Sequence, residues 1–121
     1  MAKRTFYIVS GNINGSEVKP RLCATREDAD HALADSFLSS MRELDYIKSD
    51  GGFKDSVMVH IDLRGDSGCV GLGPWQETQV YEHLERLGKE NPENEHFDGV
   101  RLRHRHSRQS FAEWQVTEVT L

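Results

Sequence analysis

The sequence predicts an α+β domain built as a two-layer sandwich, a mostly antiparallel five-stranded sheet with two helices on one face, in the order β-β-α-β-α-β-β. Three observations carry this. Over residues 57–63, Val57, Val59, Ile61 and Leu63 alternate with Met58, His60 and Asp62, the period of a half-buried strand. Ala29, Ala32, Leu33, Phe37, Met41, Leu44 and Ile47 recur at steps of three and four, which draws one apolar stripe along a helix. Asn14-Gly15 lies between two β-prone runs, and both residues tolerate positive φ, as a tight hairpin turn requires. A helix stripe and a sheet face must bury each other, so two layers follow.

Each element has its own argument. Residues 5–10 and 18–24 form the first hairpin around the loop 12–16. Thr25 is placed to cap the first helix, with Asp28 three residues on, close to capping-box spacing. The stripe then predicts about six turns, ended by Ser49-Asp50-Gly51-Gly52. The opposite face of that helix carries Asp30, Asp35, Arg42, Glu43 and Asp45. After the strand 57–63 comes a glycine-rich loop. Pro74 suits the first turn of a second helix, along which Trp75, Val80, Leu84 and Leu87 keep helical spacing until Gly88. Residues 99–104 form a strand with Val100, Leu102 and His104 on one side and Arg101, Arg103 and Arg105 on the other. The last strand covers 113–120. There Trp114, Val116 and Val119 break strict alternation, which predicts a bulge or a strand covered on both faces. The long connection through the second helix leaves room for one parallel pairing.

The chain has 121 residues, a single-domain length, and residues 1–121 are expected to form one α+β domain. A net charge of −5 disfavours a surface that holds nucleic acid or anionic membrane throughout, and it suits a basic partner. The two cysteines match no metal spacing and are too few for a disulfide scaffold, which points to reduced thiols and a cytoplasmic location. The apolar run near the start is too short for a signal peptide, and no later stretch approaches a membrane span.

The loop over residues 65–73 places glycines between a strand and a helix, where backbone amides bind phosphate in several folds. Gly71-Leu72-Gly73 before the helix resembles the acyl-CoA loop of the GNAT acetyltransferases, over residues 57–87. That family places Arg or Gln three residues before the first of its closely spaced glycines, and Gly68 stands there in this chain. The resemblance implies an acyl-CoA or nucleotide site at Gly68, Gly71 and Gly73. A Walker phosphate loop is excluded, because Pro74 and Trp75 occupy the places of its Lys and Ser/Thr. The plainer account of the loop is a connection whose turns need glycine.

Residues 101–108 hold four arginines and two histidines with no acid. Arg101, Arg103 and Arg105 would form one exposed ridge able to grip phosphates. Residues 77–98 just before it hold seven acids against two bases, so the ridge is expected to pair with the acidic helices or to be solvated. No metal site is expected from His104 and His106, His96 and Asp98, or His60 and Asp62: His104 and His106 would share the face of Val100 and Leu102, opposite the arginines, the neighbouring arginines would repel a cation, and no cysteine lies near. His60, Asp62, Ser67 and Cys69 gather near the end of one strand, but nothing in their spacing demands a nucleophile–base pair.

The function expected is therefore a small acidic, non-catalytic protein-interaction module, a regulator or inhibitor, with no cofactor. Its partner would be a basic or nucleic-acid-binding protein, met through Asp30, Asp35, Glu43 and Asp45 and through Arg101, Arg103 and Arg105. Small inhibitors from phage and other mobile elements share this character, an analogy only. The alternatives are an acyl-CoA- or nucleotide-binding enzyme using the glycine loop, and a nucleic-acid binder using the arginine ridge.

Overall fold

The computed structural model describes residues 4–63, 69–70, 77–90 and 96–121. Its elements run β1 (Thr5–Ile13), β2 (Ser16–Cys23), α1 (Arg26–Glu43), β3 (Val57–Leu63), β4 (Cys69–Val70), α2 (Glu77–Glu90), β5 (Phe97–His104) and β6 (Ser110–Thr120). This is the expected α+β order with one addition. The two-residue β4 pairs Ile61 with Val70 and Asp62 with Cys69 at the sheet edge, and it is too short to show any periodicity in sequence. The sheet order is β2-β1-β6-β5-β3-β4, and every described pairing is antiparallel.

The first hairpin is longer than its β-prone runs suggest. Asn14 and Gly15 both take positive φ, 51° and 85°, so the turn needs only two residues and the ladder continues to Ile13 opposite Ser16. β2 is an edge strand. Its register slips opposite the step from Val9 to Gly11, beside Lys19 and Pro20. A bulge and a proline both blunt an edge against further pairing.

Helix α1 starts where the sequence places it, with the Thr25 hydroxyl accepting from the Asp28 amide at 3.1 Å. It ends at Glu43, a turn earlier than the stripe predicts. Asp45 takes φ of 62°, and the chain then folds back so that Ile47 bridges Phe53. Helix α2 continues through Gly88 to Glu90, so that glycine does not stop it.

Both helices lie on one face of the sheet and share one core. Ala29, Leu33, Phe37 and Met41 of α1 and Val80 and Leu84 of α2 are buried with Val57, Val59 and Ile61 of β3 and Val100 and Leu102 of β5. Trp114 sits at the centre, 2% exposed. Its ring lies 5.6 Å from Phe37, and its Nε1 donates to the Ser36 hydroxyl at 3.1 Å. Gly11 is the register partner of Trp114, and a Cβ there would come within 2.6 Å of the indole. The backbone must approach this closely, which only glycine allows.

The last strand has its irregularity at the opposite end from Trp114, Val116 and Val119. Leu102 faces Ala112 and Arg103 faces Ser110, so Phe111 is the extra residue. Val119 breaks the alternation because it lies on the other face, opposite Phe6. Among the described residues no helix covers that face.

A buried Asp–His–Arg constellation and an open one

Two groups of Arg, His and Asp stand out, one on each side of the sheet. The first begins with Asp30. The sequence pattern places it on the exposed face of α1, but it is 1% exposed. That expectation is corrected by what the start of β5 supplies. The Phe97 amide donates to Asp30 Oδ1 at 2.9 Å, and His96 Nδ1 lies 2.5 Å from Oδ2. Arg26, one helical turn earlier, brings Nε to 3.8 Å from Oδ1. Its Nη2 donates to the Phe97 carbonyl at 2.5 Å and to Asp98 at 2.7 Å, and its guanidinium lies over the Tyr7 ring. The i,i+4 pair on α1 therefore holds both backbone groups of Phe97.

A bulge makes this possible. Asp62 faces Gly99 and Leu63 faces Phe97, so Asp98 is the extra residue and is re-aimed toward Arg26. The Phe97 ring turns inward, 5.1 Å from His83 of α2. Burial pushes the Asp30 carboxyl above its ordinary value. The His96 and Phe97 hydrogen bonds and the Arg26 charge pull the other way without cancelling it.

The second group lies on the helix-free face. His60 Nε2 is 3.0 Å from Arg101 Nη2 and 3.3 Å from Asp62 Oδ1, and Arg101 reaches to 3.7 Å from Asp62. Arg101 also stands in register with Glu113. Arg101 and Arg103 do project away from Val100 and Leu102, as the alternation predicts, and Arg105 donates to the Asp55 carbonyl at 2.5 Å. The acids beside Arg101 come from neighbouring strands, however, because the acidic helices lie on the opposite face.

The other acidic positions divide. Asp35 pairs with Arg21 of β2 at 2.9 Å, and Asp45, beyond the helix end, pairs with Lys54 at 2.9 Å. Glu43 is exposed. Gly68, Gly71 and Gly73 lie outside the described residues, as does the rest of the glycine loop apart from Cys69 and Val70. Among the described residues no group of three or more His, Cys, Asp or Glu could hold a metal ion, and no helix is long and apolar enough to cross a membrane. Cys23 is buried, and burial pushes its thiol up.

The helix-free face also carries an apolar corner. Ile8 faces Leu22, Phe6 faces Val119, and Leu22 is 72% exposed. The fold and these sites define a two-layer α+β domain with a covered and an open sheet face. No family model, curated protein or solved structure matches the chain.

Proposed function

We propose that the chain is a protein-interaction module, a regulator or inhibitor that meets a basic partner protein through its helical layer. The observation that supports this is a group of exposed acids on the helical layer. Glu27, Asp28 and Glu43 of α1 and Glu82 of α2 are exposed on the helical side, while Arg101 and Arg103 project from the other face. An acidic layer of this kind attracts and orients a cationic surface, chiefly by raising the association rate. Asp35 and Asp45 contribute less, since each already has a cation within 2.9 Å.

The arginine ridge supports a nucleic-acid reading less well. Asp62 and Glu113 flank Arg101, which lowers the local positive charge that a phosphate backbone needs. The test is capture from native lysate with the tagged protein, comparing wild type, Glu27→Lys/Glu43→Lys/Glu82→Lys, and Arg103→Glu. The expected result is a basic protein held by the wild type and by Arg103→Glu, released by moderate salt and lost with the triple variant. Equal capture by the triple variant removes the helical layer from the reading.

A further inference from the structure

The turn between β5 and β6 carries arginines that the fold does not pair. Residues 101–108 hold four arginines and no acid. Arg101 is engaged by His60 and Asp62. Arg103, Arg105 and Arg108 have no ion pair among the described residues, and Arg105 and Arg108 are exposed. By contrast Arg21, Arg26 and Lys54 each have an aspartate at 2.9, 2.7 and 2.9 Å.

The backbone that presents these arginines is pinned. The His104 amide donates to the Gln109 carbonyl at 3.0 Å, the Arg108 amide to the His104 carbonyl at 2.8 Å and the Arg105 amide to the Ser56 carbonyl at 2.9 Å. The His104 ring stacks on Phe111 with centroids 4.3 Å apart. Arg105 Nε donates to the Asp55 carbonyl, which holds the guanidinium by its inner edge and leaves both Nη groups without a partner among the described residues. Such a fork matches two oxygens of a phosphate. Arg108 takes φ of 59°. Asn14 and Asp45, the other non-glycine residues in that region, are of types that tolerate it, whereas backbone preference does not explain an arginine there.

We propose that the β5–β6 turn is a site for nucleic-acid phosphates, gripped through Arg103, Arg105 and Arg108 without regard to base sequence. The turn residues 105–110 are Arg, His, Ser, Arg, Gln and Ser, all exposed. They offer no apolar side chain to enter a bilayer or to form the dry centre of a protein interface. A phosphate backbone needs neither, and it is met by arginine, serine and glutamine side chains of this kind. The net charge of −5 opposes a polyanion at long range, so binding is weak and confined to low salt. Arg101, flanked by Asp62 and Glu113, takes no part.

The proposal does not rest on the partner reading, and its test uses no protein partner. Fluorescence anisotropy of a labelled strand of about 20 nucleotides, single or as duplex, is followed from about 20 to about 200 mM salt. Three phosphate contacts give an expected slope of log K against log salt of about −2 for the single strand and about −2.7 for the duplex. Arg105→Gln and Arg108→Gly should each make the slope shallower by about one, while Arg101→Gln leaves it unchanged. Arg108→Gly suits the left-handed backbone and should melt no lower than wild type, which separates lost binding from lost fold. No binding of either probe by the wild type at about 20 mM salt overturns the proposal. Wild-type slopes in both Arg105→Gln and Arg108→Gly overturn it too. Polyglutamate or phosphatidylserine vesicles bound as tightly as the strand overturn the assignment to nucleic-acid phosphates.

Discussion

The Asp30–His96–Arg26 group and the Asp62–His60–Arg101 group use the same three side-chain types, with His–Asp contacts of 2.5 and 3.3 Å, and they differ in solvent. Asp30 is 1% exposed between α1 and the start of β5, whereas the Asp62 side chain is 37% exposed on the open face. In the dry group Asp30 satisfies the Phe97 amide and His96, although Arg26 Nε is buried without a hydrogen-bond partner among the described residues, and these contacts fix where the helical layer meets the sheet. The wet group can exchange each contact for water at small cost. Identical chemistry is structural in one place and replaceable in the other.

The contrast can be broken in four ways, taken from the largest expected effect downward. Asp30→Ala should cost about 3–5 kcal/mol in urea unfolding, because it strands His96, Arg26 and the Phe97 amide, whereas Asp62→Ala should cost less than about 1 kcal/mol. Equal costs would erase the distinction. Next, Arg26→Lys should lose about 1–2 kcal/mol, since an ammonium cannot reproduce the contacts to the Phe97 carbonyl, Asp98 and the Tyr7 ring together. Arg101→Lys, measured the same way, should fall below it.

The third way is pH. The folded-state Asp30 carboxyl lies above its ordinary value, so the native state holds that proton more tightly than the unfolded chain. Its contribution to stability is fully present below the unfolded value, about 3.9, and is lost as pH rises through the raised folded value. Thermal unfolding of wild type against Asp30→Asn should show this decline removed in the variant, while Asp62→Asn should leave it in place. The smallest effect is salt. Raising ionic strength to about 1 M should weaken the Asp62 group by a few tenths of a kcal/mol and leave the Asp30 group unchanged, in double-mutant cycles run at both salts.

Much of the fold is written in local pattern. The Thr25 cap, the Asn14-Gly15 turn and the alternation of β3 all stand where residues a few positions apart place them. The errors are also physical. The apolar stripe runs on to Leu44 and Ile47, but those residues serve the turn at Asp45 and the bridge to Phe53, so the helix stops early. Gly88 carries a helix-breaking propensity that α2 overrides. At the candidate site, Arg26 and Asp30 form a legible i,i+4 pair, and His96 and Asp98 were visible only as a weak ligand pair. What joins them was not legible, since His96 and Phe97 are 66 and 67 residues from Asp30.

By itself the sequence determined the elements, their order and the layer they must form, because period, capping and turn chemistry act over a few residues. Only the tertiary structure decided the strand order, the side of the sheet that stays open and which carboxylate is dry. Desolvation is not a property of an aspartate or its neighbours in the chain. It is set when a strand arriving from far away brings an amide and an imidazole to the same place, here by the bulge that sets Phe97 and Asp98 against α1.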